Sequence, residues 1–101
     1  MKILTLTIKK KWFDMILSGE KTEEYRELKH YWIRRFDNFD YDAIKFTNGY
    51  GNYCPSFIIE CNGVAVGYGE KEWGAPPDKP VYILSLGSVL AENNALLEED
   101  V

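Results

Sequence analysis

Alternation of hydrophobic and polar positions predicts a strand at residues 2–8. Leu4, Leu6 and Ile8 fall on one side of an extended chain, and the residues between them are threonines. A period of two is typical of a strand with one buried face. The chain therefore opens with a half-buried strand.

The hydrophobic spacing then becomes helical. Trp12, Phe13, Ile16 and Leu17 recur at the interval of one helix face, and lysines precede them. Gly19 follows, and a glycine just past a helix readily takes the left-handed conformation that closes the last turn. We therefore predict an amphipathic helix that ends at Gly19.

Residues 22–27 are predicted to be extended, because they follow a helix end and contain no helical hydrophobic stripe. Side chains of an extended chain point alternately to its two sides. Glu24 and Arg26 should therefore point one way, and Glu23 and Tyr25 the other.

The remainder of the chain predicts short strands and one further helix. Residues 30–36 predict a basic-aromatic helix in which Trp32 and Phe36 pair one turn apart. Strands are predicted at 43–47, 57–61, 64–68 and 81–86, with a proline-containing loop at 70–80. Asn62-Gly63 matches a type I′ turn, which predicts a hairpin between the second and third of these strands. Several short strands with a few added helices are typical of an all-β barrel or sandwich to which helices are added, so the predicted fold class is α+β.

The composition and the net charge limit how the protein could bind nucleic acid or another ligand. The net charge of −4 argues against a protein that coats nucleic acid indiscriminately, because phosphate binding needs a positive field. A local basic face is still expected, since nine of the twelve Lys and Arg residues precede residue 36. Aromatic residues make up 15% of the chain, enough to fill a core and also line a pocket.

The cysteine content, the motifs and the hydropathy bear on whether the protein holds a metal or cofactor or enters a membrane. Cys54 and Cys61 are too few for a metal framework, and we expect two free thiols. No metal site and no cofactor are expected, because phosphate-binding loops, dinucleotide fingerprints and zinc spacings are missing from the sequence. The first residues are short of apolar side chains for a signal peptide, and no apolar run reaches membrane-spanning length. We expect a soluble cytoplasmic protein without a membrane partner.

Residues 19–26 are rich in titratable side chains. They contain Lys21, Arg26 and three glutamates, of which Glu24 and Arg26 share one predicted side. Lys21 is either an ion-paired surface residue or a nucleophile or base with a lowered pKa, and burial decides between the two. Arg26, held by Glu24, is suited to a phosphate or carboxylate.

This window carries a resemblance to a known family. Gly19-x-Lys21-x-x-Glu24-x-Arg26 resembles the G-x-K-x-x-E-x-R signature of the ASCH domain, a member of the PUA-like β-barrel superfamily. The segments 46–50 and 72–75 are also similar to short bacterial and phage-type members, so the resemblance covers nearly the whole chain.

The resemblance implies an α+β fold, a small PUA-like β-barrel of about five to six strands with two or three helices packed against it. It also implies a cleft lined by the signature residues. Relatives in the superfamily bind RNA, often at modified bases. One bacterial ASCH group hydrolyses acetylcytidine with the signature lysine, which corresponds to Lys21, and ribonuclease activity has been attributed to another. The amidohydrolases have a threonine where this chain has Glu24, and they use a later glutamate, for which Glu60, Glu70 and Glu72 are the candidates here.

Aromatic and amide side chains in loops are candidate ligand contacts. Tyr50, Tyr53 and Trp73 lie outside periodic faces, so they either stack on a base or plug the open ends of the barrel. Asn48 either reads a base edge or takes a left-handed turn conformation. The basic set forms one positive face if the two helices are neighbours, and otherwise two solvated helix faces. Its members are Lys9, Lys10, Lys11, Lys29, Arg34 and Arg35.

The sequence thus predicts an ASCH-type domain at 1–90 followed by an acidic tail at 91–101. Its expected function is to bind RNA or a modified nucleotide in a cleft. The predicted ligand-binding residues are Tyr25, Arg35, Asn48, Tyr50 and Trp73. The alternative is a small hydrolase, acting on an acylated nucleoside or on RNA, whose catalytic residues are Lys21, Glu24 and Arg26.

Overall fold

A computed structural model describes residues 1–50 and 53–93 of the chain. It contains five strands, two α-helices and one 3-10 turn. In chain order these are β1 (Ile3–Thr7), α1 (Lys10–Leu17), β2 (Glu23–Arg26), α2 (His30–Phe36), β3 (Ala43–Thr47), β4 (Ser56–Gly67), the 3-10 turn (Lys71–Trp73) and β5 (Val81–Asn93).

The five strands form one curled sheet in the order β1-β3-β4-β5-β2. β1 is parallel to β3, and every other neighbouring pair is antiparallel. The two edge strands lie close to each other. Nη2 of Arg26 on β2 is 3.4 Å from the backbone oxygen of Thr7 on β1. The predicted α+β class is confirmed, with five strands and two helices.

The hydrophobic core combines buried side chains of the sheet with those of both helices. Phe13 of α1 packs edge-on against Phe57 of β4 at 4.8 Å between ring centroids, and Phe57 also meets Phe46 of β3 at 5.6 Å. Phe36 of α2 packs against Tyr82 of β5 at 5.0 Å. The two helices therefore cover different parts of the sheet. No helix in the described part of the chain is long and apolar enough to span a membrane.

The predicted helix end at Gly19 is confirmed. Gly19 has a φ of +89°, and its N–H donates to the backbone oxygen of Ile16 at 3.1 Å. The N–H of Lys21 then donates to the oxygen of Met15 at 2.9 Å. This turn fixes where the chain leaves α1 and leads Lys21 towards the start of β2.

The predicted hairpin at Asn62-Gly63 is wrong, because 57–61 and 64–67 belong to one strand, β4. Both halves pair with β5, as Ile59 with Val89 and Val64 with Leu84. The register shifts between Cys61 and Gly63, where Gly63 has a φ of +139°. The Asn-Gly pair therefore serves a bulge instead of a turn, since the 13-residue β5 offers a partner for the whole of β4.

The last strand is longer than predicted. The sequence indicated 81–86, whereas β5 continues to Asn93 alongside the start of β4. The first three residues of the predicted acidic tail thus lie in a strand, and 94–101 lie outside the described residues.

Loss of the Phe57 ring should destabilise the protein more than any exposed substitution on the same strand. The side chain is 1% exposed and joins α1 to the sheet, so Phe57→Ala should lower the free energy of unfolding by about 3–5 kcal/mol. Val66→Ala, at a 59% exposed position of β4, is the control and should change it by less than about 0.5 kcal/mol. Urea denaturation measures both, and equal losses would contradict this packing.

Candidate functional site

A pocket of about 230 Å³ lies at the seam between the edge strands β1 and β2. The end of β1, the start of α1, β2 and the turn after Lys71 each contribute to its wall. Its lining residues are Thr7, Ile8, Lys9, Trp12, Glu24, Tyr25, Arg26, Trp73 and Gly74.

Lys21 lies beneath this pocket with 1% of its surface exposed. Its Nζ donates to the backbone oxygen of Trp73 at 2.8 Å and lies 3.4 Å from Oε1 of Glu24. The ammonium also lies 4.5 Å from the ring centroid of Tyr25 and 5.2 Å from that of Trp12. The ammonium is thus surrounded by one carbonyl, one carboxylate and two aromatic faces.

Glu24 joins the two cations of the site. It is buried, and Nη2 of Arg26 donates to its Oε2 at 2.8 Å while Lys21 faces Oε1. The short contact between Glu24 and Arg26 confirms that they share one side of the extended segment. The Tyr25 hydroxyl donates a hydrogen bond to Oε1 of Glu23 at 2.7 Å, which confirms that these two residues share the other side.

Arg26 is fixed by three different groups. Besides Glu24 and the Thr7 carbonyl, the ring of Trp32 lies 5.1 Å from its Cζ. Its buried Nε has no hydrogen-bond partner among the described residues. An unpaired buried donor costs stability and is frequent at functional sites.

Burial lowers the pKa of the Lys21 ammonium below its ordinary value of 10.5. Removal from water disfavours the charged form, while the nearby Glu24 carboxylate partly opposes this effect. Lys21 is therefore the buried lysine with a lowered pKa that the sequence left open as one of two interpretations.

Tyr25 ties β2 to the loop that carries Trp73. Its hydroxyl accepts a hydrogen bond from the backbone N–H of Glu70 at 2.9 Å. Burial, together with the acceptor Glu23, raises the pKa of the Tyr25 phenol, although the Glu70 N–H opposes the rise. The hydroxyl therefore remains protonated and acts as a structural link.

The aromatic wall of the pocket depends on a close approach at Gly74. This residue has a φ of +97°, and a Cβ there would lie 2.9 Å from Cζ2 of Trp12. Any larger residue would push the Trp12 ring away. The turn thus brings Trp73 and Trp12 to one pocket from distant parts of the chain.

The structure brings together five of the predicted site residues. These are Lys21, Glu24, Tyr25, Arg26 and Trp73. Trp12 and Thr7 were missed, because the sequence placed Trp12 on the core face of a helix and gave no signal for the strand end. Lys9 was expected only as a member of the basic set.

The other predicted ligand contacts lie elsewhere. Asn48 lines a separate depression beside α1 and the end of β5. Arg35 and Tyr50 line a depression between β1 and α2 that adjoins the pocket through Thr7 and Arg26. Tyr53 lines neither the pocket nor this depression.

The later glutamates do not line the pocket. Oε1 of Glu60 accepts from the N–H of Ser88 at 2.9 Å on β5. Glu70 and Glu72 are exposed on the loop, and only the backbone of Glu70 touches the site, through Tyr25. The carboxylate that the pocket presents is therefore that of Glu24.

The arrangement is suited to binding a small planar group. Lys21 is not among the lining residues, since Trp12 and Tyr25 lie against it. Glu24 and Arg26 instead offer an acceptor and donors side by side between aromatic rings. Across residues 1–50 and 53–93, no group of three or more His, Cys, Asp or Glu side chains is placed to hold a metal ion.

Comparisons of the chain with models of protein families, with curated proteins and with solved structures give no match. The likeness of residues 19–26 to the ASCH signature therefore rests on those residues themselves.

The lowered pKa of Lys21 gives a pH-dependent stability. Between the folded pKa and 10.5 the unfolded chain binds more protons than the folded protein, so stability rises with pH. The free energy of unfolding of the wild type, relative to that of Lys21→Met, should therefore increase from neutral pH towards 10.5. Urea denaturation at a series of pH values measures this difference.

Lys21→Met suits this comparison because Glu24 keeps its ion pair with Arg26. Titration of Tyr25 occurs in both proteins and cancels to first order in the difference. A difference that stays flat or falls over this range would show that the pKa of Lys21 is not lowered.

Proposed function

We propose that the pocket at the β1–β2 seam binds one base of an RNA or of a modified nucleotide. The observation that carries this proposal is the pairing of Glu24 and Arg26 at 2.8 Å inside a pocket with aromatic walls. A carboxylate beside a guanidinium presents an acceptor and donors in one plane, as the edge of a base requires.

The polar groups are held before a ligand arrives. Glu24 is fixed from both sides by Lys21 and Arg26, and Arg26 by Glu24 and the Thr7 carbonyl. Arginine has five N–H donors, and within the described residues only Nη2 donates a hydrogen bond. Preorganised groups lose little freedom on binding, which favours affinity.

The aromatic residues supply stacking surfaces. Trp12 and Trp73 line the pocket and are only partly buried. Stacking of a base on an aromatic ring contributes about 1–3 kcal/mol in single-strand binders. A volume of about 230 Å³ suits one base with its sugar and little more.

The local charge favours an anionic ligand despite the acidic chain. Among the residues that line the pocket, the two cations Lys9 and Arg26 outnumber the one carboxylate, that of Glu24. A positive site on a negative body attracts a phosphate at that point and repels it elsewhere.

Lys21 acts as a positioning residue in this proposal. Its ammonium holds the Trp73 carbonyl and the Glu24 carboxylate, and it is buried away from the pocket. Its role is therefore to fix the wall and the acceptor.

Titration of the intrinsic tryptophan fluorescence with ribonucleoside monophosphates and short single-stranded RNAs tests the proposal. Arg26→Gln should weaken binding of the best ligand about 5- to 100-fold, the value of a paired contact to a base edge. Lys29→Gln removes one positive charge outside the pocket and should change the affinity less than about 2-fold. Glu24→Gln should change which base is preferred.

Two results would contradict the proposal. One is the lack of saturable binding to every nucleotide and RNA tested. The other is an equal effect of Arg26→Gln and Lys29→Gln, with circular dichroism showing that both variants are folded.

A second candidate is hydrolysis of an acylated nucleoside. The specific observation in its favour is a buried lysine with a lowered pKa, 3.4 Å from a carboxylate, because this pairing gives a lysine able to act as a base or nucleophile. Such a role requires the Trp12 and Tyr25 rings to move aside, since they lie against the ammonium.

Incubation with N4-acetylcytidine and chromatographic detection of cytidine test this candidate. Turnover by the wild type should fall at least about 100-fold in Lys21→Met, the range of a lost acid–base group. Failure of the wild type to release cytidine, or undiminished turnover in Lys21→Met, would rule out hydrolysis of this nucleoside by Lys21.

A further inference from the structure

A second depression of about 270 Å³ adjoins the pocket along β1. The two share Thr7 and Arg26, and the second extends to Thr5 on the strand and to α2. Along β1 and just past it, residues 7–9 line the pocket and residues 5–7 line the second depression, so the two follow one another along the chain.

Cations and rings alternate across the second depression. The guanidinium of Arg26 lies 5.1 Å from the centroid of Trp32, and that of Arg35 lies 5.2 Å from the centroid of Tyr31. Each ring holds the plane of its guanidinium without consuming its hydrogen-bond donors. Both guanidinium groups therefore face a shared space with donors available.

Arg35 has no carboxylate within ion-pair distance in the part of the chain that the structure describes. The helix that carries it contains Arg34 and His30 but no acidic residue. On a chain with a net charge of −4, this is a concentration of unneutralised positive charge. A phosphate is the group that such a site attracts most strongly.

Tyr50 also lines the second depression, and the residue is 88% exposed. A ring so exposed contributes little to the core, so its place beside Arg35 has no packing explanation. An exposed tyrosine next to a cation is the arrangement on which single-strand binders stack successive bases.

We propose that the second depression holds the nucleotide next to the one in the pocket. The ligand is then a single-stranded nucleic acid of two or more nucleotides. Arg35 contacts the phosphate that joins the two nucleotides, and the second base stacks on Tyr50, while Arg26 keeps its free donors for the base in the pocket. This inference rests on the proposed function, because it extends the ligand of the same site.

The affinity for a strand, compared with that for one nucleotide, tests the inference. Homopolymeric tetraribonucleotides should bind at least about 10-fold more tightly than the matching monophosphate, as one added stacked base and one added phosphate contact imply. Deoxyribonucleotide tetramers form a parallel arm that decides whether the strand is RNA or DNA.

Substitutions should separate the two subsites. Tyr50→Ala should weaken tetranucleotide binding about 5-fold or more and leave monophosphate binding unchanged. Arg35→Gln should do the same and reduce the dependence of log K on log salt concentration by about 0.7, the value for one contact to a single strand. Both positions lie outside the pocket that takes the first base.

Matched controls come from the same elements. Tyr53 is also a loop tyrosine, 79% exposed, and does not line the depression, so Tyr53→Ala should leave tetranucleotide binding unchanged. Arg34→Gln removes the same charge from α2 at a position outside the depression and should have a smaller effect than Arg35→Gln.

The outcomes distinguish this inference from the proposed function. Tetranucleotides that bind no more tightly than a monophosphate, or equal effects of the variants and their controls, overturn the inference and leave the pocket intact. Lack of binding by any nucleotide or strand overturns both.

Discussion

Burial of the Lys21 ammonium is the constraint on which the site depends. Removing an ammonium from water is costly, and here a carbonyl, a carboxylate and two rings compensate for the lost water. These groups come from α1, β2 and the turn at Lys71–Trp73. The charge is therefore tolerated only when all three elements are in place, and it couples the formation of the pocket to the formation of the fold.

The same cluster closes the open side of the sheet. β1 and β2 are the two edges, and Arg26 crosses between them to reach the Thr7 carbonyl while it holds Glu24. The seam thus has polar contacts where a closed barrel would have a ladder of backbone hydrogen bonds. A gap bridged by side chains leaves room for a ligand, and this is why the pocket and the neighbouring depression both include Arg26.

Local rules predicted the elements well and the site in part. The helix end at Gly19, the extended segment after it and the helix at 30–36 follow from spacing over a few residues, and they agree with the structure. The hairpin predicted at Asn62-Gly63 was wrong because strand pairing there depends on a distant part of the chain. A turn dipeptide makes a hairpin only when its flanks pair with each other, and here β5 pairs with both flanks. Tyr50 and Arg35 were predicted for the main cleft, but they lie in the adjoining depression.

The sequence by itself determined that Glu24 and Arg26 share one side of a short strand just after a helix end. Strand alternation and the left-handed glycine decide this locally. Only the tertiary structure decided that Lys21 is buried, that Trp12 lines the pocket and that Trp73 supplies a backbone oxygen to the ammonium. Lys21 and Trp73 are 52 positions apart, and no local pattern specifies a contact at that separation. It arises from the curl of the sheet, which brings the two edges and the Gly74 turn to one place.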